Sequence, residues 1–532
     1  MLRTTRCWLW VIILLFSYPL ASFAADPENA VPRFDIRGYE VRGNTILPAD
    51  RVEAILAPFT GKDRDFGTVQ GAVEALEKEY RGGGFSMVAV VLPEQEMQDG
   101  VIRLQVIEYR IGRIAVEGNR FFDERNILRS LPALQPGKTP DIDALSRSLN
   151  LANENPAKKT DLKFKSGEGQ EVDATVTVKD EKPWRAGVSL DNSGDKHTGR
   201  SRMGFLLQHG NVANLDHVLT LQYITSPENL DDVHIFGLGY HMPLYSPGSS
   251  IDIIAAHSNV DSGSVNVATY NMGISGKGTV LALRYNQNLT RIGDYEHRLI
   301  LGLEYKAFEN DVQYLGYQLG HNVTVHPLSL TYAGTLTRMK HTAGFYLTGV
   351  QNLSWSLDGR DGEANFASAR AGSSMEYTIL RYGGNFMLMP GGDWRVRAVF
   401  NGQYTQNALV SGEQFGLGGA ASVRGLQERA YANDYGYSGS IEVYSPDLLR
   451  LAGVSAVQAR LLAFCDHGQA RRNKPVAGDT VAVEATSIGP GLRITDGRHF
   501  SVSIDYGIVM EPPEDGTTRW SGMWHLSASF LF

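Results

Sequence analysis

From Trp184 to Phe532 the sequence is built of short stretches in which apolar and polar residues alternate, separated by Gly, Asn, Asp and Ser. Few patterns constrain a fold harder, because successive side chains on a strand point to opposite faces of a sheet. In RVRAVFNGQY one face is Val396, Ala398, Phe400, Gly402 and Tyr404, and the other is Arg395, Arg397, Val399, Asn401 and Gln403. In SVSIDYGIVM the face of Val502, Ile504, Tyr506, Ile508 and Met510 opposes Ser501, Ser503 and Asp505. HRLILGLEYK, HVLTLQYI and HLSASFLF behave in the same way. A soluble β-sandwich also alternates. Against it stand strands of about 10 residues, aromatics near their ends and many hairpins in one unit, which mark a transmembrane β-barrel with a polar lumen. Sixteen strand candidates lie between Trp184 and Phe532, an even number as a bacterial barrel needs. Phe532 closes the sequence with Phe530 on the same face, as outer-membrane barrels commonly end. Closure of the barrel satisfies every backbone hydrogen bond in lipid without a spanning helix.

The N-terminus supplies the export signal that such a barrel requires. Arg3 and Arg6 precede an apolar run from about Trp8 to Tyr18, and Ser22 and Ala24 stand at −3 and −1 before Ala25. That order of basic, apolar and small residues predicts a secretory signal peptide over 1–24, and the run falls short of the ~20 residues of a spanning helix. Cys7 lies well before the cleavage site, so Cys465 is the only mature cysteine and no internal disulfide can form. The formal charge of −8 becomes −10 without Arg3 and Arg6, with no basic block, which argues against nucleic acid as a partner.

Between signal and barrel the sequence repeats itself. VRGNTILPADRV (Val41–Val52) and VEGNRFFDERNI (Val116–Ile127) share Val-x-Gly-Asn and lie 75 residues apart. Each copy follows a short β-rich segment, FDIRGYEV or YRIGRIAV, and runs into helical material. In TVQGAVEALEKEYR, Val73, Leu76 and Tyr80 fall at i, i+3 and i+7, which predicts one buried helix face. Two strands end each copy: MVAVVLP with GVIRLQVIE, then TDLKFKS with EVDATVTVKD. The order is βααββ, twice, and at ~75 residues each copy is a small domain and not a solenoid repeat.

Two stretches of the barrel region stand out. FGLGGAASVRGLQERAYANDYG (Phe415–Gly436) is glycine-rich and sets Arg424 beside Gly425. A solvated loop arginine is one reading of it. In ARLLAFCDHG, Arg460, Leu462, Phe464 and Asp466 share one face, and Leu461, Ala463 and Cys465 the other. A charge facing lipid at mid-bilayer costs ~2–4 kcal/mol, so the face with Asp466 is luminal. Chemical signatures are absent or out of context. GLGGAA fits Gly-x-Gly-x-x-Ala with no βαβ unit after it, the thirteen histidines show no HExxH or comparable spacing, and GISGKG lacks the nucleophile-elbow pattern. No catalytic residue, metal or cofactor is expected, and the protein is not expected to be an enzyme.

These elements, in this order, resemble the TpsB transporters of two-partner secretion, also called haemolysin secretion/activation proteins, within the BamA-like superfamily. LPEQEMQDGVIRLQVIE (Leu92–Glu108) is similar to the end of the family's first POTRA domain. FGLGGAASVRG is similar to the superfamily's Val-Arg-Gly motif on a loop that folds back into the barrel, and FCDHG (Phe464–Gly468) to its Phe-x-Asp-x-Gly strand motif. The resemblance covers nearly the whole mature chain. It implies a mainly β fold: POTRA domains at 34–109 and 110–181, then a 16-stranded antiparallel transmembrane β-barrel at 183–532 with a long infolded loop at 406–434. Arg424 would pair with Asp466 inside the barrel, so that Val423, Arg424 and Gly425 anchor to Phe464, Asp466 and Gly468. The glycines at 416, 418, 419 and 425 suit a tight path through a crowded lumen.

The implied function is passage of an unfolded exoprotein, a TpsA-type haemolysin or adhesin, across the bacterial outer membrane, with the POTRA domains in the periplasm. A BamA- or TamA-like assembly factor is the alternative, although those usually carry more POTRA units. A passive porin or adhesin barrel would share the alternation but has no use for two periplasmic domains. The periplasm holds no ATP, so folding of the cargo outside is the expected source of energy. Exposed strand edges in the βααββ units can capture an extended segment by β-augmentation. Met87, Val88, Ala89, Val90 and Val91 in the first unit, and Leu162 and Phe164 in the second, are the candidates. Outer-membrane lipid and the barrel-assembly machinery are further expected partners, the protein acting as a monomer. Family members often plug the pore with an N-terminal helix; DPENAVPR is too short for a helix and linker, so no such plug is expected here.

Overall fold

A computed structural model describes residues 32–532 apart from 261, 268–269, 276, 310–312, 315–316, 319–320 and 514–516. The expected signal peptide and the short segment after it lie outside these residues. The described chain forms two compact units.

The first unit ends at Glu108. Its sheet has Val101–Glu108 at the centre, parallel to Gly38–Arg42 and antiparallel to Val88–Val91. The helices Ala49–Leu56 and Phe66–Gly82 supply the apolar face over that sheet. The longer helix buries Val69, Ala72, Leu76 and Tyr80, while Val73 is only half-buried. The face is thus one position away from the expected one at its N-terminal end. Spacings of 3, 4 and 4 follow the 3.6-residue period. The Gly-Asn of the repeat has a definite task. Gly43 has φ +82° and a Cβ there would lie 2.3 Å from the Val106 carbonyl oxygen; Gly118 has φ +85° and would meet the Val178 oxygen at 2.5 Å. Only glycine fits both demands. Asn44 then closes the turn, accepting from the Leu47 amide at 2.9 Å, and Asn119 donates to the Phe122 carbonyl at 2.9 Å.

The second unit holds the second βααββ module together with the barrel. In the module, Glu171–Asp180 is central, parallel to Arg110–Glu117 and antiparallel to Lys158–Ser166. Asp123 and Asp141 cap the helices Glu124–Arg129 and Ile142–Ala152 by accepting from the amides of Asn126 and Ala144. Ile111, Phe122, Ile127, Leu131, Leu145, Val176 and Val178 form its core. The module is locked to the barrel by a buried Lys158–Asp216 pair at 2.6 Å, to which Tyr245 donates at 2.7 Å.

The barrel strands are β1 (Trp184–Asp191), β2 (Arg202–Val212), β3 (His217–Thr225), β4 (Ile235–Leu244), β5 (Ser249–Ser258), β6 (Gly278–Asn288), β7 (Tyr295–Phe308) and β8 (Pro327–Thr337). They continue with β9 (His341–Asn352), β10 (Thr378–Gly391), β11 (Trp394–Tyr404), β12 (Tyr435–Tyr444), β13 (Gln458–Arg471), β14 (Ala482–Thr495), β15 (Phe500–Glu511) and β16 (Gly522–Leu531). All sixteen pair antiparallel, and β16 closes on β1 from Ser527↔Asp191 to Leu531↔Gly187. Val323–Val325 prolongs β8 beyond Pro327 along the end of β7. Leu281, Leu330, Phe400, Ile441 and Leu461 are among the large apolar residues left exposed on the outside. On a soluble protein such a surface would drive association; around a closed barrel it is the lipid belt.

Candidate functional site

β11 and β12 are joined by a loop, residues 405–434, that turns back into the barrel instead of outwards. Asp434 ties its two ends. One carboxylate oxygen accepts from the Leu409 amide at 2.8 Å, and the other accepts from Arg370 at 2.8 Å and from the Asn473 amide at 2.6 Å. Within the loop, Phe415–Leu417 and Tyr431–Asn433 pair as a two-stranded ribbon that delivers the tip between them. Gly418 and Gly419, with φ of +107° and +106°, make the reversal.

At the tip, Arg424 is 2% exposed and Asp466 on β13 is fully buried. Nε and Nη2 of the guanidinium donate to the two Asp466 oxygens at 2.7 and 2.6 Å, a bidentate fork. The Arg424 amide adds a bond to the same carboxylate at 3.1 Å. Nη1 reaches Glu442 at 2.8 Å and Nη2 the Ser440 hydroxyl at 2.9 Å, both on β12. The Phe464 ring lies under the guanidinium carbon, 3.4 Å from its centre.

The alternation of β13 explains why Phe-x-Asp-x-Gly serves this contact. Residues 464, 466 and 468 share the luminal face, so one ring, one carboxylate and one gap line up under the loop. The gap is Gly468: a Cβ there would lie 2.4 Å from Leu417 and 3.2 Å from Val423. Val423 packs with Leu417, Leu426, Ala470, Val483, Ala485 and Val509 in a buried cluster. Gly425 brings loop backbone onto the Gly507 backbone of β15, and its amide donates to His525 Nε2 on β16 at 3.0 Å. Cys465, between the motif residues, faces outwards and is exposed.

The sequence reading found Arg424, Asp466, Phe464, Val423, Gly425 and Gly468, and the structure brings all six together. It missed the rest of the charge network. Glu442 also accepts from Arg397 at 2.9 Å, and Asp505 lies 3.6 Å from Arg424 while pairing with Arg493 at 2.7 Å. Three cations thus face three carboxylates, so the cluster is neutral as a whole, with Arg424 and the carboxylates buried and Arg397 and Arg493 partly exposed. A charged residue inside an alternating stretch, as in IEVY around Glu442, is the signal that would have found them. The strand-edge candidates are elsewhere: Val88 and Val90 are buried, Ala89 and Met87 half-buried and Val91 exposed, while Leu162 and Phe164 pack against their own module's core. Among the described residues, one set of side chains could converge on a metal ion: His467, Glu484 and Glu511, within 4.8 Å on the outward face. Their three different strands explain why no sequence spacing announced them.

Arginine locked between carboxylates holds a loop; it presents no nucleophile or free base. Together with the βααββ modules and the lipid-facing barrel, it defines an outer-membrane transporter of the POTRA–barrel class. The model of the haemolysin secretion/activation protein ShlB/FhaC/HecB matches residues 170–494, and that of the ShlB-type POTRA domain matches residues 34–108. The chain belongs to the haemolysin secretion/activation family of two-partner secretion transporters, located in the outer membrane. It is 20% identical over 489 residues to the heme/hemopexin transporter protein HuxB of Haemophilus influenzae, covering 87% of this chain and 81% of that one. With the outer membrane transporter CdiB of Escherichia coli O6:K15:H31 it shares 24% identity over 527 residues, 94% of this chain and 83% of the relative. The solved structure of CdiB from Escherichia coli has the same fold, with a TM-score of 0.74 at 19% identity over 97% of this chain and 93% of that one. CdiB from Acinetobacter baumannii superposes with a TM-score of 0.69 at 14% identity, again over 97% and 93%.

Proposed function

We propose that the protein carries an unfolded, TpsA-type exoprotein from the periplasm to the cell exterior, capturing it at the outer strands of its POTRA sheets and passing it along the open side of the barrel lumen. The observation that carries this reading is a luminal cavity of about 1230 Å³. Arg147 and Asn150 of the second module's helix line it at one end, and Arg284, Tyr346, Arg381 and Arg397 of the barrel wall line it further in. An extended chain needs a polar path of this kind, because its unpaired backbone groups must find partners all the way across. The edges fit the same reading. Val88–Val91 and Lys158–Ser166 are each the outer strand of a three-stranded sheet. Val88, Val90, Leu162 and Phe164 face inwards, so capture would use backbone hydrogen bonds and be tolerant of cargo sequence. The relatives' names, transporter in each case, support the class and leave the cargo open.

The test compares proteins in the culture medium with and without this gene, then restores the full chain or a chain lacking Phe34 to Glu108. The deletion is expected to leave a heat-modifiable barrel in the outer membrane while the missing exoprotein stays inside. Normal levels of that exoprotein in the medium would remove the capture role.

A further inference from the structure

The infolded loop carries a second buried charge, held by a different set of barrel strands. Glu413 ends the short turn Ser411–Glu413 at the start of the loop, and its side chain is fully buried. One carboxylate oxygen accepts from Lys306 on β7 at 2.9 Å and the other from Arg381 on β10 at 2.7 Å. Its carbonyl accepts from Gln403 on β11 at 2.9 Å. Beside it, Gly412 lies flat on the Phe308 ring, so close that a Cβ would come within 2.1 Å. Leu409 and Val410 fill a buried apolar cluster with Phe308 and Tyr377.

The two anchors are of opposite sign. Arg424 projects from the loop to the carboxylates of β12, β13 and β15; Glu413 projects to the cations Lys306 and Arg381, with Glu304 bridging Lys306 and Arg284 beside them. The loop is therefore fixed at two places on the wall and is not a flap hung from one hinge. The anchors also differ in what lies around them. Arg424 is walled in, with 3% of its side chain exposed, whereas Arg381 is 32% exposed and lines the cavity with Glu304 and Arg284. A carboxylate or carbonyl on a chain inside the cavity can compete for Arg381. It cannot reach Arg424.

We propose that Glu413 is the second positioning residue of the infolded loop and its releasable end: an extended polypeptide moving through the cavity takes over Arg381, leaves Glu413 held by Lys306 alone and so loosens the loop's first half, while Arg424 stays fixed. This rests on the transport reading for the identity of the moving chain, but the anchor itself can be measured without cargo. In planar bilayers the full-length Glu413→Gln protein is expected to open several-fold more often than wild type, since glutamine keeps the shape and loses both ion pairs. Lys306→Met, which removes a partner instead, should do the same if Glu413→Gln fails to insert. Unchanged opening in an inserted variant overturns the anchor.

Release is tested in a Cys465→Ser background carrying Glu413→Cys and Arg381→Cys, bridged by a reducible bis-maleimide. The unbridged protein should secrete, the bridged one should not, and reduction should restore secretion. Secretion at the unbridged rate with the bridge intact overturns release. If neither form nor wild type secretes any exoprotein, the transport reading fails, and the bilayer result still decides the anchor.

Discussion

The two sides of the barrel lumen are built from the same alternating strands and end in opposite conditions. Along β12 to β16 the wall is covered: small residues such as Gly468, Gly507 and Ala485 leave room for the loop, and the space is packed by Val423, Leu417 and Leu426. Along β6 to β11 the wall is open to the cavity and carries Arg284, Tyr346, Arg381 and Arg397. A luminal charge on the covered side is buried and must be paired with good geometry. On the open side water can screen it. The same residue type therefore has different energetic weight on the two walls, and substitutions should separate them.

The largest effect belongs to Arg424→Ala. It leaves Asp466 and part of Glu442 buried without their cation, and breaking a buried pair costs about 3–5 kcal/mol, less any relief from luminal water. Asp466→Ala should cost a similar amount, and each variant should insert as a barrel yet lose most secretion. Because both remove one contact, the double variant should be little worse than either single one. Additive secretion losses would mean that the two residues act separately and that the covered side is not organised around this pair. The exchange Arg424→Asp with Asp466→Arg should rescue only in part, since Glu442 and Ser440 remain placed for a guanidinium arriving from the loop.

Gly468→Ala comes next. The added methyl would overlap Leu417, and overpacking of this kind costs roughly 1–3 kcal/mol. The expected outcome is a lower temperature of barrel unfolding on gels and a partial secretion defect. A neutral result would show that the loop tip shifts freely, contrary to the packed state of the covered side.

The same contrast sets how much was legible in the sequence. Alternation alone places Asp466 in the lumen, because strand geometry is local and the cost of a lipid-facing charge is large. It likewise separates Asp505 from the apolar face of its strand. What alternation cannot give is which luminal charges meet, since that depends on the stagger of strands around the barrel and the path of a thirty-residue loop. Arg424 with Asp466 was reachable only through the family resemblance; Arg397 was placed on a polar face without a partner, and Glu442, Arg493 and Glu413 were not reached. The helix Glu363–Ala369 between β9 and β10 also escaped notice; seven residues are too few for a 3.6-residue period to declare itself. In the first module the period and the core positions Leu76 and Tyr80 were legible, and only Val73 was misplaced. Val73 is apolar, but the spacing of 3, 4 and 4 puts Ala72 and not Val73 on the face shared with Val69, Leu76 and Tyr80.

The smallest effect is expected on the open wall. Tyr346 lines the cavity and donates to Asn401 at 3.2 Å, a long bond between two partly exposed groups. Tyr346→Phe removes only the hydroxyl. Asn401 can turn to water in the cavity, so no buried group is left unsatisfied and the large desolvation cost of a stranded partner does not arise. The stability change should stay within about 0.5 kcal/mol, the range of ordinary surface substitutions, and secretion should be unaffected. The unfolding temperature of the heat-modifiable barrel, read beside Gly468→Ala, makes the comparison direct. If Tyr346→Phe lowers it as far as Gly468→Ala does, the open wall is as tightly packed as the covered one, and the cavity is no path for a polypeptide in this state of the barrel.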